Sequence, residues 1–301
     1  MKGELAERDF TSLQALLEAR KERVDAALHE LMPAGEAAAV DAAAAYSLHA
    51  PAKRVRPILT LMVAEMLRAE PRAVLPAACA VEMVHTSSLI LDDLPAMDDA
   101  RLRRGRPACH VVHGQAAAIL AAFALLNRAF EILADGWPGG PAAGARGAMA
   151  ADLARAVGTS GMIAGQAADL GLAARPLDFT TLEFIHSRKT GALFMAAASL
   201  GGHAARAAAA EAGAVAAYAK NLGLAFQIVD DLIDATGQTE EAGKDVRQDL
   251  KKTTFVSFSG LEGALTLAGE LIAASQEALR PFGPRADALR ELAQYVVARR
   301  R

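Results

Sequence analysis

The sequence predicts an all-α protein, a single-domain helical bundle over residues 1–301, on three observations. Hydrophobic residues fill 53% of the 301 positions while aromatics fill only 5%. Alanine and leucine, both strong helix formers, dominate the apolar set, and β-branched and aromatic strand formers are comparatively few. Apolar positions recur at helical spacing over long stretches, and the breaks between them are short and rich in proline and glycine.

Taken in order, residues 13–32 place Leu13, Leu16, Leu17, Val24, Ala27, Leu28 and Leu31 at helical spacing with Glu, Arg and Lys between them, an amphipathic first helix. Pro33-Ala34-Gly35 ends it, and a second helix runs over 36–48. A proline-flanked cationic turn, Lys53-Arg54-Val55-Arg56-Pro57, leads into an apolar helix over 58–67. Basic groups at a helix start oppose the dipole there but suit a bound anion. The next helix runs from Pro76 through an apolar stretch to Asp92 and Asp93. A helix over 115–134 is followed by a surface loop, 135–146, holding four glycines and two prolines. Helical runs at 147–172 and 177–198 follow, the second carrying His186, Arg188, Lys189 and Thr190. A buried lysine is costly without an anion. The longest helix, 205–235, ends in Phe226-Gln227-Ile228-Val229-Asp230-Asp231-Leu232-Ile233-Asp234. After a loop at 237–242 come Gly243-Lys244-Asp245 and Lys251-Lys252-Thr253-Thr254, and helices fill 261–301 around a turn at Pro281, Gly283 and Pro284.

Several function classes are excluded on composition. A formal charge of −3 offers no nucleic-acid surface. Cys79 and Cys109 are too few for a disulfide framework or a zinc site and suit a reducing, cytoplasmic setting. Residues 1–9 are charged with no apolar signal core, and the longest apolar run near a membrane span, 116–126, has 11 residues against the roughly 20 needed. No membrane span is expected. Rossmann, P-loop and Gly-x-Ser-x-Gly patterns are absent.

The chemistry concentrates in Asp92-Asp93-Leu94-Pro95-Ala96-Met97-Asp98-Asp99 and the following Arg103-Arg104-Gly105-Arg106. Four carboxylates within eight residues, at a helix C-terminus that prefers cations, call for a strongly cationic partner. Asp98 lies about 240° round an ideal helix from Asp92, and Pro95 breaks the helix so that the chain can return it. Asp230 and Asp234, at i,i+4, form a second cluster about 40° apart on one helix face. Two helices ending in Asp92, Asp93, Asp98 and in Asp230, Asp231, Asp234 would face each other across the mouth of a bundle. Oxygen-only ligands favour Mg2+ or Mn2+, whose shell is usually completed by substrate phosphate. Arg103, Lys189 and Lys244 would neutralise a metal-bridged diphosphate, and Lys53, Arg56, His85 and Arg104 would hold a second anion.

With these residues together, the chain resembles the trans-isoprenyl diphosphate synthases, in both aspartate-rich motifs, the Lys189-Thr190 pair and the Phe226-Gln227 entry to the second motif. The match runs from Lys53 to Thr254 in the family's order, and VHTSSLILDDLPAMDDARLRRGRP looks most like bacterial geranylgeranyl diphosphate synthases of the carotenoid-pathway type. The resemblance implies a bundle with a large central cavity, a homodimer, and three Mg2+ ions held by Asp92, Asp98 and Asp230 with help from Asp93 and Asp234. It implies that Lys189, Thr190 and Gln227 shield an allylic cation formed by ionisation of an allylic diphosphate. Isopentenyl diphosphate, held by Lys53, Arg56, His85 and Arg104, then adds to that cation. Ser88, Ser87 and Val84 descend from Asp92 by helical turns. Ser87 stands where farnesyl synthases of this motif type commonly carry Tyr or Phe, so a C20 product is expected. Ala52, Leu91, Ala100, Arg101 and Lys251 depart from the family's commoner residues, and none of them is an expected metal ligand. A terpene cyclase would lack the second aspartate cluster and the Lys53 and Arg56 site, and an inactive partner subunit would lack one cluster.

Overall fold

A computed structural model describes residues 10–32, 34–173, 175–176, 178–236 and 254–298. The first helices are α1 (Thr11–Leu31), α2 (Ala38–Leu48), α3 (Val55–Met66) and α4 (Pro71–Asp92). α4 begins a turn earlier than Pro76 suggests, because Pro71 sits in the first turn, where the missing N–H costs nothing. A short hairpin, β1 (Leu102–Arg103) and β2 (Arg106–Pro107), precedes α5 (Cys109–His113), α6 (Gln115–Asp135) and α7 (Ala143–Val157). Then come α8 (Met162–Asp169), α9 (Phe179–His186), a π-turn (Ser187–Gly191) and α10 (Ala192–Ala204). α11 (Ala209–Thr236), α12 (Phe255–Ala278), a 3-10 segment (Arg280–Ala286) and α13 (Asp287–Ala298) complete the order.

The fold class is all-α as the composition predicts, with three local differences. The run expected over 147–172 is two helices. Gly158 caps α7 through its N–H to Ala154 O, and a Cβ on Gly161 would lie 2.2 Å from Ala156 O, so the chain turns tightly there. The run over 177–198 is α9, the π-turn and α10, and it continues to Ala204. The hairpin was not foreseen. Its two-residue turn, Arg104-Gly105, has positive φ at both positions (54° and 72°), the type I′ geometry that matches strand twist.

α4 lies at the centre, packed on α3, α6 and α10, while α11 packs along α10 and α12. One buried apolar cluster runs from Val24 on α1 to Val296 on α13. Its small residues let helices approach closely: a Cβ on Gly201 of α10 would sit 2.5 Å from Thr60 O on α3, and Thr60 Oγ1 donates to Ala197 O at 2.8 Å. Averaged over a window instead of counted as an unbroken run, α4, α6 and α12 are long and apolar enough to cross a membrane by length and composition. α4 spends that character on the core, where it is buried all round: Val81, Met83 and Val84 are covered together with the charged Glu82.

Candidate active site

Asp92 closes α4, and the chain then folds back as Pro95 leads one to expect. Asp98 N–H donates to Asp92 O at 2.9 Å, Ala100 N–H donates to Asp93 O at 3.1 Å, and Asp99 takes a left-handed φ of 47°. Asp98 is thus brought back beside the end of α4 that carries Asp92. Asp93 is buried, 2% exposed, and its Oδ1 accepts from Arg103 Nε at 2.8 Å and from the Nη2 of the same guanidinium. Burial works against the Arg103 charge, but the Asp93, Asp92 and Asp98 carboxylates outweigh it and hold the guanidinium firmly protonated.

The π-turn joins the two acid-bearing helices. Lys189 Nζ lies 3.5 Å from Asp92 Oδ1 and 2.8 Å from Asp169 Oδ2, and Gln166 Nε2 also donates to Asp92 Oδ1. Burial disfavours the ammonium, yet Asp92, Asp169 and Asp98 raise its pKa above the ordinary lysine value. The next residue, Thr190, donates through Oγ1 to Gln227 Oε1 on α11 at 3.1 Å. An α-helical register would turn successive side chains differently, and a π-turn inserts one extra residue to re-aim them. Gly165 of α8 makes room for it: a Cβ there would lie 2.3 Å from Lys189 N.

On α11, Gln227 Nε2 donates to Asp231 Oδ1 at 3.0 Å, and Phe255 N–H, opening α12, donates to Asp231 Oδ2 at 3.1 Å. The carboxylate accepts only, so Nε2 must face it and Oε1 must face Thr190. Asp231 is 6% exposed, and burial pushes its carboxyl up to about 6 despite these bonds. Asp230 and Asp234, one turn apart on α11, are half-buried.

A second cationic cluster sits beside α4. Arg56 Nη1 lies 3.1 Å from His85 Nε2 and its guanidinium stacks 4.7 Å from the Phe194 ring centroid. Arginine only donates, so His85 Nε2 is the acceptor and Nδ1 carries the ring proton. Burial first, then Arg56 and Arg104, hold His85 neutral, well below the usual histidine range, and burial lowers Arg56 to about 10. Arg104 Nη2 approaches Glu82 at 3.8 Å, and Lys53 is exposed on the turn before α3. Ser87 is buried with Oγ donating to Ala122 O of α6 at 2.8 Å, Ser88 Oγ bonds its own helix at His85 O, and Val84 is buried one turn below. Lys244 lies outside the described residues, with Lys251, Lys252 and Thr253.

The donor chemistry fits magnesium. All the acids offer hard oxygens, and an ammonium already lies among Asp92, Asp169 and Asp98. Among the described residues no group of three or more His, Cys, Asp or Glu is close enough to form a protein cage. That arrangement suits an ion held by one or two carboxylates and completed by substrate phosphate. Sequence reasoning missed Gln166 and Asp169, whose only trace is a polar pair at i,i+3 in an otherwise small and apolar helix. It also missed Arg54 and Glu82, which pair across 28 residues of sequence.

Comparisons with known proteins bear on this geometry. The polyprenyl synthetase family model matches residues 37–268. The chain is 43% identical over 286 residues to geranylgeranyl pyrophosphate synthase 3, chloroplastic, of Arabidopsis thaliana, covering 93% of this chain and 79% of that one. It is 40% identical over 294 residues to a geranylgeranyl diphosphate synthase of Cyanophora paradoxa, covering 97% of each. Among solved structures, an FPP/GFPP synthase from Zymomonas mobilis in its apo form superposes with a TM-score of 0.86 at 34% identity, over 96% of this chain and all of that one. A geranyltransferase from Legionella pneumophila does so with a TM-score of 0.86 at 30% identity, over 97% of this chain and 99% of that one. Matched over most of its length by the family model and by relatives above 40% identity, the chain belongs to the polyprenyl synthetase family, and it is a prenyltransferase with the all-α fold of that family.

Proposed function

We propose that this prenyltransferase condenses isopentenyl diphosphate head to tail with an allylic diphosphate, with Mg2+, to make geranylgeranyl diphosphate (C20) and release diphosphate. The observation that carries this reading is the π-turn, whose adjacent side chains Lys189 and Thr190 reach Asp92 on α4 and Gln227 on α11. Lys189 and Arg103 would neutralise the allylic diphosphate at the mouth, with Lys244 of the undescribed segment added to them. Asp92, Asp98, Asp230 and Asp234 would hold the magnesium ions, three in number. Asp93 and Asp231, whose oxygens already serve Arg103, Gln227 and Phe255, would orient that set from behind. Bound there, magnesium would draw charge from the diphosphate and ease departure of the allylic C1–O bond.

Thr190 Oγ1 and the fixed Gln227 amide then lend oxygen dipoles to the developing allylic cation. The neutral His85 offers Nδ1–H, and Lys53, Arg56 and Arg104 offer charge, to the diphosphate of isopentenyl diphosphate. The buried apolar walls below keep water from quenching the cation. Ser87, Ser88 and Val84 set no bulky aromatic in the path of a growing chain, and the two relatives described above, both geranylgeranyl synthases by name, also support a C20 product. A farnesyl (C15) product is the second reading, favoured by the FPP/GFPP synthase among the structural neighbours.

We further read residues 1–301 as one domain, since the buried cluster spans Val24 to Val296, and as a cytoplasmic protein with buried, unlinked Cys79 and Cys109 and no nucleic-acid partner. A homodimer is supported by the apolar face of α5 and α6, where Val111, Val112, Leu120 and Phe123 are exposed. The test of function is product length from purified protein with Mg2+, isopentenyl diphosphate and farnesyl diphosphate, read by mass after dephosphorylation. Geranylgeraniol is expected. Failure to consume isopentenyl diphosphate would sink the reading, and farnesol from the C5 and C10 starters alone would move the cavity floor to a residue other than Ser87.

A further inference from the structure

Glu82 is a carboxylate only 1% exposed in the middle of α4, and the steps proposed for the reaction leave it without a task. An ion so deep survives only with close partners. It has two, and both are arginines from different turns. Arg54 Nη1 donates to Glu82 Oε1 at 2.7 Å, and Arg104 Nη2 lies 3.8 Å from the same oxygen.

Arg54 is itself 3% exposed and spends its whole guanidinium inside the protein. Nε donates to Asp25 on α1 at 2.8 Å, and Nη2 donates to Leu48 O at 2.6 Å and to Ala50 O at 3.4 Å. It therefore clamps the turn from its centre, with Lys53 one residue before it and Arg56 two residues after. The hairpin turn carries Arg104 in the same way. Arg54 and Arg104 both hold left-handed backbone conformations, φ 50° and 54°, which non-glycine residues adopt at a cost. Each turn needs an outside anchor, and the two turns share one.

Resting on the prenyl-transfer reading above, we propose that Glu82 is a positioning residue of the isopentenyl diphosphate subsite. It ties the Arg54 turn and the Arg104 turn to α4, so that Lys53, Arg56, His85 and Arg104 converge on one diphosphate. It is also the counter-charge that lets Arg54, Arg56 and Arg104 gather while no substrate is bound. Glutamine cannot replace it: its amide oxygen can still accept at the Oε1 position, but the negative charge that offsets the gathered guanidiniums is gone.

The test is steady-state kinetics of Glu82→Gln and Glu82→Asp, varying isopentenyl diphosphate at saturating farnesyl diphosphate and then the reverse, with thermal unfolding of each variant. The expected result for Glu82→Gln is a KM for isopentenyl diphosphate raised about tenfold, with the KM for farnesyl diphosphate changed by less than about twofold. Glu82→Asp keeps the charge but withdraws it by one methylene, and it is expected to show the same selectivity with a smaller rise. A KM for isopentenyl diphosphate that is unchanged or lower in a folded variant, or a rise shared equally by both substrates, overturns the proposal. So does loss of the fold in both variants, which would make Glu82 a purely structural ion. Wild-type enzyme in the same assay separates the two readings: without consumption of isopentenyl diphosphate the prenyl-transfer reading itself fails and takes this one with it.

Discussion

Asp230 and Asp231 are neighbours on α11, yet their carboxylates face different surroundings. Asp231 is buried between Gln227 and the first N–H of α12, whereas Asp230 is half-buried and its charge is felt by Arg56. Substitution should separate the two. Asn at 231 turns an NH2 group toward one of two donors, and the unmet bond is expected to cost about 1–3 kcal/mol of stability. Asn at 230 leaves that anchor intact, so its melting temperature should match wild type while kcat falls by about 100-fold or more through weakened charge stabilisation. Thermal melts beside saturated turnover check both, and equal melting losses would refute the division. The acids were legible in the sequence because clustered charge at a helix C-terminus is unfavourable without a ligand. Asp169 and Gln166 were not, because two polar residues at i,i+3 read equally well as a solvent face. Glu82 was hidden among apolar neighbours, its partner Arg54 being remote in sequence.

Helices can meet around the π-turn only where something small lies opposite, and Gly165 of α8 is that residue. A methyl group at 165 would press on backbone atoms of Lys189 and Arg188, which cannot rotate away as a side chain could. Gly165→Ala is therefore expected to cost about 1–3 kcal/mol by overpacking, and to lower kcat as Lys189 leaves Asp92. Denaturant unfolding and turnover measure the two effects, and an unchanged kcat would mean that the π-turn does not set the Lys189 position. A different contact locks α7 to α10. Asp152 accepts from Ser199 Oγ and from His203 Nε2 at 2.9 Å, with Arg155 alongside. Burial alone would raise its pKa, but the Ser199 and His203 bonds and the His203 and Arg155 charges outweigh it and hold it below the usual carboxylate value. A depressed carboxylate pKa gives stability that is present above the unfolded value and lost as pH falls through the folded one. Asp152→Asn should thus melt lower than wild type near neutrality, and the gap should close below about pH 4. A gap that stays constant across a pH series of melts would exclude the ionic contribution.

At the scale of the whole chain, helix class was written in the alanine and leucine content, but the division of the helices was not. The break at 158–161 and the π-turn come from backbone packing against neighbours remote in sequence, which periodicity does not register. Nor does periodicity tell which apolar face is covered. α6 buries Ala118, Ala121, Ala122 and Leu125 against the core while Leu120 and Phe123 remain 54% and 59% exposed. Val111 and Val112 of α5, each 49% exposed, precede them in the chain. Water would meet these large apolar groups in a monomer, and a second copy of the chain would bury them by a self-complementary, two-fold contact. The wild-type protein is therefore expected to run in light scattering at twice the 31.3 kDa chain mass. Phe123→Glu sets two like charges near each other across such an axis and buries them in apolar surroundings. Its dimer dissociation constant should rise by about 100-fold or more, bringing the measured mass down to that of one chain at micromolar concentration. Because the acids, Lys189 and the Glu82 cluster all come from one chain, the separated protomer should still bind diphosphate. A dimer that persists in Phe123→Glu would mean that another surface joins the copies.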